Sequence, residues 1–319
     1  MSGGSPKLDA SILTLSYRGD LEYCRLLCES LDRFAPPGLR HRLFVPARDM
    51  ELFAPLVSEA RTIGAEDSDL LPRWLKKIPM PKPRLRRLLR LPRRNIYLSL
   101  YSPPVRGWIA QQIMKIAGAA ESPTEIVMHV DSDGVFIRPL PSAMLMRPDG
   151  AVRFYRNPHL ETHATHILWR EVACRLLGID AKSFVPGDYI GICIVWRRSI
   201  VRRMIQRIEE VGGADWRKIL AREPHFSEYT LYGMFVESLG VEAAGHFADG
   251  VSPVLEIWDQ EPETPAEEEA FVQGLQPHHV ACLIQSTAKM SMEKRLDLLD
   301  RVIARAWTQD QDAPVLAES

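Results

Sequence analysis

Residues Glu125–Leu140 read EIVMHVDSDGVFIRPL. Ile126–Val130 has the apolar run of a buried strand, and it leads straight into Asp131-Ser132-Asp133 and then Gly134. Two carboxylates that close repel each other, and burying them is costly unless something positive sits with them. A divalent cation at the end of a central strand answers that requirement. The rest of the chain must then supply the strands around it.

Working outward, Ser11–Ser16 (SILTLS) is a buried strand. Tyr17-Arg18-Gly19 is a turn, and Asp20 is placed to cap a helix whose apolar spacing runs from Leu21 to Phe34. His41–Pro46 (HRLFVP) is a second strand, DMELFAPLVSEA a second helix and RTIGA a third strand. This alternation predicts an α/β fold: a mixed, mostly parallel sheet flanked by helices in one large domain. Beyond the central strand, Ala151–Tyr155 is a strand, Thr162–Leu177 a helix, Tyr189–Trp196 a strand and 199–211 a helix. A short helix near Asp215–Ala221 precedes one capped by Ser227 that ends at Leu239. An acidic, proline-bearing loop surrounds Glu261–Glu269, and Val280–Gln285 is the last strand. The expected boundaries are a disordered 1–9, a domain over 10–307 and a frayed tail over 308–319.

Composition bounds the function. The 319 residues are 46% hydrophobic and 25% charged with net charge −1, which supports a large core and argues against a dedicated nucleic-acid binder. No apolar run approaches the ~20 residues of a membrane span, and MSGGSPKLDA lacks the layout of a signal peptide. Five scattered cysteines fit a reducing cytoplasm, with Cys24 and Cys28 on one helical face read as core packing. One stretch departs from this even balance. Leu70–Ala120 contains no acidic residue, and Arg73–Arg94 carries ten Lys or Arg broken by prolines. The segment 70–104 is therefore read as a basic, proline-rich insertion. Contact with an anionic membrane through 73–94, at the inner face of the membrane, is one expectation for it, and a loop binding an acidic glycan is another.

Four readings compete for Asp131-Ser132-Asp133-Gly134. A plain turn uses the same residue types. A calcium loop needs an acid at its twelfth position, where Ser142 stands, and so is discarded. A haloacid-dehalogenase-type phosphotransferase matches locally but needs a later acidic pair, and PGDYIG offers one Asp. The fourth is the metal-binding Asp-x-Asp of nucleotide-sugar transferases, which follows nucleotide-holding strand–helix units as it does here. Thr14, Ser16, Tyr17 and Asp20 lie at the carboxyl end of the first strand, where ligands of open α/β sheets gather, so Tyr17 could stack on a base and Asp20 accept from it. Gln112 and Lys115 sit on the helix Arg106–Ala117 that feeds the central strand, and Lys115 could reach a diphosphate.

The stretches LTLSYRGDLEYCRLLCESLDRF, GWIAQQIMKI, HVDSDGVFIRP, FSEYTLYG and IQS resemble a bacterial family of glycosyltransferase-like proteins with the GT-A fold, over most of residues 10–290. The resemblance implies a metal-dependent transfer of a sugar from a nucleotide-sugar, UDP- or GDP-linked, to an acceptor hydroxyl. A place in cell-surface polysaccharide or glycolipid synthesis, with a glycan or lipid-linked acceptor, goes with it. Mn²⁺ or Mg²⁺ would be held chiefly by Asp133, with Asp131 helping through the ribose or a metal-bound water. His278 or His279, just before the last strand, is the expected third ligand. Glu228 opens a helix in an E-x-x-x-Y-G pattern with Tyr232 and Gly233, and is the expected general base, with Asp188 in reserve. The rivals are a metal-dependent phosphotransferase or phosphatase, and a nucleotide-binding module without turnover.

Overall fold

A computed structural model describes residues 8–78, 95–159, 163–180, 182–183, 185–258, 260–288 and 290–312. The first three strands form as the sequence predicts: β1 (Ala10–Leu15), β2 (Arg40–Val45) and β3 (Arg61–Ala65), with α1 (Leu21–Phe34) between the first two. The second helix does not form at its expected length. Only α2 (Met50–Phe53) is α-helical, flanked by 3-10 turns, because Pro55 has no N–H to continue the ladder. A one-turn α3 (Glu66–Asp69) follows β3.

The described flanks of the basic insertion pair with each other. β4 (Leu75–Lys77), β5 (Ile96–Ser99) and β6 (Val105–Arg106) make a small antiparallel sheet. Most of the Arg73–Arg94 segment, and with it the expected membrane contact, lies outside the described residues. α4 (Gly107–Ala120) then leads to β7 (Ile126–His129), the strand before the paired aspartates. The next elements are β8 (Gly134–Phe136), β9 (Val152–Tyr155), α5 (Ala164–Leu177) and β10 (Ile194–Arg197). The strand expected over Tyr189–Trp196 is shorter because Cys193 adopts φ 59°, a left-handed conformation that ends an extended run. Helices α6 (Arg198–Gly212), α7 (Trp216–Ala221) and α8 (Glu228–Leu239) follow, the last two capped by Asp215 and Ser227.

The carboxyl-terminal part holds β11 (His246–Asp249), β12 (Val254–Ile257), α9 (Pro265–Gln273), β13 (Ala281–Ile284) and α10 (Met292–Asp312). Two expectations fail here. The acidic stretch read as a loop is the helix α9, started by a capping box between Thr264 and Glu267. The frayed tail expected over 308–319 is instead helical as far as Asp312, in α10, where Arg138 binds the side chains of Gln309 and Asp310 at 2.6 and 2.8 Å; 313–319 lie outside the described residues.

The main sheet has the order β10-β7-β1-β2-β3, with β10 antiparallel and the rest parallel. The α/β architecture and the mostly parallel sheet are as predicted. Both faces are covered, which is why β1 reads as a continuous apolar run. Leu13 and Leu15 meet the core of α4, α6 and α8, while Ala10 and Ile12 meet α1 and the β12-β13-β8 sheet. α4 approaches β1 closely at Gly118, where a Cβ would lie 2.9 Å from Leu13 Cδ2. From β1 the chain builds β2 and β3 on one side, then returns to lay β7 on the other. The carboxyl ends of β1 and β7 therefore flank a topological switch point, the place where open α/β sheets form a crevice for ligands.

Candidate active site at the switch point

The chain leaving β1 delivers Tyr17 and Asp20 to the crevice, and the chain leaving β7 delivers Asp131 and Asp133. The ring of Tyr17 lies against Gly19, where a Cβ would overlap it, and Tyr17 is half exposed. Asp20 caps nothing. Its carboxyl interacts with Tyr17, and burial together with Asp133 pushes it up to about 6. Asp133 is held from the other side, since its Oδ2 accepts the backbone N–H of Ser286 at 2.6 Å. Burial and the neighbouring Asp131 raise the Asp133 carboxyl above its usual range.

The positive charges that such a cluster needs are present. Lys115 on α4 places its Nζ 3.1 Å from Asp131 Oδ1 and 3.2 Å from Glu228 Oε1, and donates to Tyr229 Oη at 3.0 Å. Burial opposes the ammonium charge, but Asp131, Tyr229 and Glu228 outweigh it, and Lys115 titrates well above its ordinary value. Glu228 is buried, and burial raises its carboxyl while Lys115 opposes the rise. Its backbone N–H, left free at the start of α8, is taken by Gln112 Oε1 at 2.7 Å. The Nε2 of that same Gln112 is buried with no partner among the described residues. Arg295 on α10 faces Asp133 while donating to the carbonyls of Ile284 and Gln285. Four carboxylates (Asp20, Asp131, Asp133, Glu228) thus meet two cations (Lys115, Arg295), an excess of two negative charges when all are ionised.

The other sequence candidates are placed elsewhere. Thr14 is committed within the sheet: its hydroxyl donates to the Val130 carbonyl at 2.9 Å and bonds His41 Nε2 at 3.0 Å. Because Arg61 Nε donates to His41 Nδ1 at 2.8 Å, the proton of the neutral imidazole is on Nε2, which donates to Thr14. Burial and Arg61 push His41 down to about 3. Ser16 turns inward beside the Cys24 thiol. The Asp188 carboxylate binds His166 Nδ1 at 3.0 Å and the Ile190 N–H at 3.0 Å, and neither partner belongs to the Lys115–Glu228 cluster. His278 and His279 precede the right strand but stand at its wrong end. β13 runs antiparallel to β8, with Leu283 opposite Gly134 and Ala281 opposite Phe136, so it is Ser286 that arrives at Asp133. The seven residues from His279 to Ser286 span roughly 20 Å of extended chain, and neither histidine shares an ion with Asp133.

Sequence reasoning missed Arg295 and Tyr229. Arg295 lies on the buried face of α10, a helix whose signal in the sequence is its amphipathic pattern. Tyr229 is adjacent to Glu228, and its signal was a polar-tipped ring on a helix otherwise packed into the core. Among the described residues, no group of three or more His, Cys, Asp or Glu side chains is arranged to hold a metal ion. No helix among them is long and apolar enough to cross a membrane.

A family model of unknown function, DUF6492, matches residues 6–306. The chain belongs to the DUF6492 family. No curated protein matches it. Within this DUF6492 chain, the matched residues include every group at the switch point, from Tyr17 to Arg295.

Proposed function

We propose that the switch-point crevice is the active site of a metal-dependent glycosyltransferase of GT-A type, acting on a nucleotide-sugar. The observation that carries this reading is the pair Asp131 and Asp133 at the carboxyl end of β7, inside a cluster that has an excess of two negative charges when all its groups are ionised. That excess equals the charge of one divalent cation. A hard cation takes one or two carboxylates and completes its shell with phosphate and water oxygens, so two aspartates without a third protein ligand fit the group. Asp131 and Asp133 would hold Mn²⁺ or Mg²⁺, which when bound would neutralise the diphosphate leaving group.

The chain's own residues supply the rest. Tyr17 offers a ring face to a base, and Asp20 beneath it an acceptor. Lys115 bridges Asp131 and Glu228 and fixes their separation. Glu228 takes the proton of the acceptor hydroxyl as its oxygen bonds the anomeric carbon and the bond to the diphosphate breaks. Raising that carboxyl by burial brings it closer to the working pH, where a general base is most effective. Gln112 Nε2, buried beside Glu228 and without a partner among the described residues, is a donor for a ligand oxygen there. The acceptor is a hydroxyl of a glycan, free or lipid-linked.

Calorimetric titration with UDP and GDP, with and without Mn²⁺, tests the reading. Wild-type protein is expected to bind one of them in a Mn²⁺-dependent manner, and Asp133→Asn to lose that dependence while keeping its fold. Equal binding by both proteins refutes the assignment, as does binding of neither nucleotide. Phosphate release from simple monoesters would move the site to phosphotransfer chemistry.

A further inference from the structure

We propose that Trp108 and Trp169 form a stacking platform for a pyranose ring of the acceptor, one helical turn along α4 from the base. The proposal rests on the reading of Glu228 given above. Trp108, Gln112 and Lys115 fall within one narrow stripe of α4, since steps of four and three residues return to the same face. The lower end of that stripe is the site itself, where Gln112 and Lys115 bind Glu228. Its upper end is Trp108, about 6 Å away along the axis.

Trp108 is 42% exposed, an unusual placement for the largest apolar side chain at the start of an otherwise buried helix. It stacks on Trp169 of α5 with centroids 5.5 Å apart and planes 26° from parallel. His166 packs on Trp169 at 4.8 Å and binds Asp188 at 3.0 Å. The Trp169 Nε1–H is buried and has no acceptor among the described residues. Flat apolar faces therefore stand beside an unpaired donor and a carboxylate–imidazole pair. A pyranose ring has the same division: a face of C–H groups, and a rim of hydroxyls that both donate and accept. A lipid tail would cover the indoles but leave the Trp169 N–H unanswered, at the cost that an unpaired polar group carries in an apolar setting. Of the two, a saccharide is the complementary ligand. A glycan stacked here runs down the stripe toward Gln112 and Glu228.

Tryptophan emission of the full chain, titrated with maltohexaose, cellohexaose, chitohexaose and mannohexaose, reads the platform directly. At least one is expected to shift the wild-type emission. Trp108→Ala is expected to weaken that binding tenfold or more, Trp108→Tyr to restore most of it, and both to keep wild-type affinity for UDP or GDP with Mn²⁺. Absence of a response from all four saccharides overturns the proposal, and so does a response that Trp108→Ala leaves unchanged. Sedimentation with vesicles of phosphatidylcholine, alone or with phosphatidylglycerol, tests the alternative: vesicle binding lost in Trp108→Ala, without a saccharide response, makes the surface a lipid contact and removes the platform. Saccharide binding in a protein that binds neither nucleotide keeps the platform and refutes the transferase reading. Nucleotide binding without saccharide binding does the reverse.

Discussion

Glu228 carries the chemistry of the proposal in a single carboxyl, and its isosteric replacement separates binding from reaction. Glu228→Gln keeps the shape and the contact with Lys115 but has no basic oxygen. It is expected to retain Mn²⁺-dependent nucleotide binding and to lose about 10²–10⁴-fold in transfer at saturating donor, the contribution of a general base. Transfer within a few-fold of wild type would remove Glu228 from the reaction. Thr14 makes the contrasting case of a polar residue committed to structure. Thr14→Val leaves the His41 Nε2–H and the Val130 carbonyl without their partner. It should cost about 1–3 kcal/mol in denaturant unfolding, as a buried unpaired group does. Both residues sit in quoted motifs, yet sequence position alone cannot tell which way a side chain turns. Asp131, Asp133 and Glu228 were legible because strand ends and helix starts dictate where their carboxyls go. Thr14 faces inward because its neighbours across the sheet, His41 and Val130, complete its hydrogen bonds, and those partners are distant in sequence.

At the scale of elements, α8 shows what the E-x-x-x-Y-G pattern does. Tyr232 Oη receives the Arg197 N–H at 2.9 Å and bonds His246 Nε2 at 2.8 Å, tying α8 to β10 and β11. Gly233 leaves room for the Tyr189 ring, and a Cβ there would overlap it. Gly233→Ala is expected to destabilise the protein by about 1–3 kcal/mol, as overpacking in a filled core does, although the substitution favours helix in isolation. Unchanged stability in a chemical melt would show that Tyr189 yields freely. The regular elements were legible wherever an apolar period met a clear stop. They were misread where one residue overrides the pattern: Pro55 inside an amphipathic stretch, and left-handed Cys193 inside an apolar run. The histidine pair was misplaced for a different reason. Pairing direction decides which end of β13 meets Asp133, and direction is a property of two strands that neither encodes alone.

For the whole molecule, titration of buried groups sets the pH response. Burial pushes Glu66 up to about 7, against the pull of Lys77 at 3.5 Å. Between about pH 4.5 and 7 the folded chain holds a proton that the unfolded chain releases. The stability from this group is complete below that window and is lost as pH rises through it. Glu66→Gln removes the effect. Relative to wild type its unfolding free energy should climb from pH 4.5 to 7, by up to about 3 kcal/mol, and level off above. Parallel profiles for the two proteins would contradict the assignment. Four neighbouring strands are joined by another buried polar device, the run of donors from Arg61 of β3 to His41 of β2, Thr14 of β1 and the carbonyl of Val130 just past β7. Apolar contacts alone would let β2 or β7 slide two residues along β1, since that shift keeps every side chain on its own face. The donors forbid it. A slipped sheet would leave an imidazole N–H and a carbonyl bare in the core, so misaligned copies of this sheet are discriminated against by a chemical proofreading step built from three side chains.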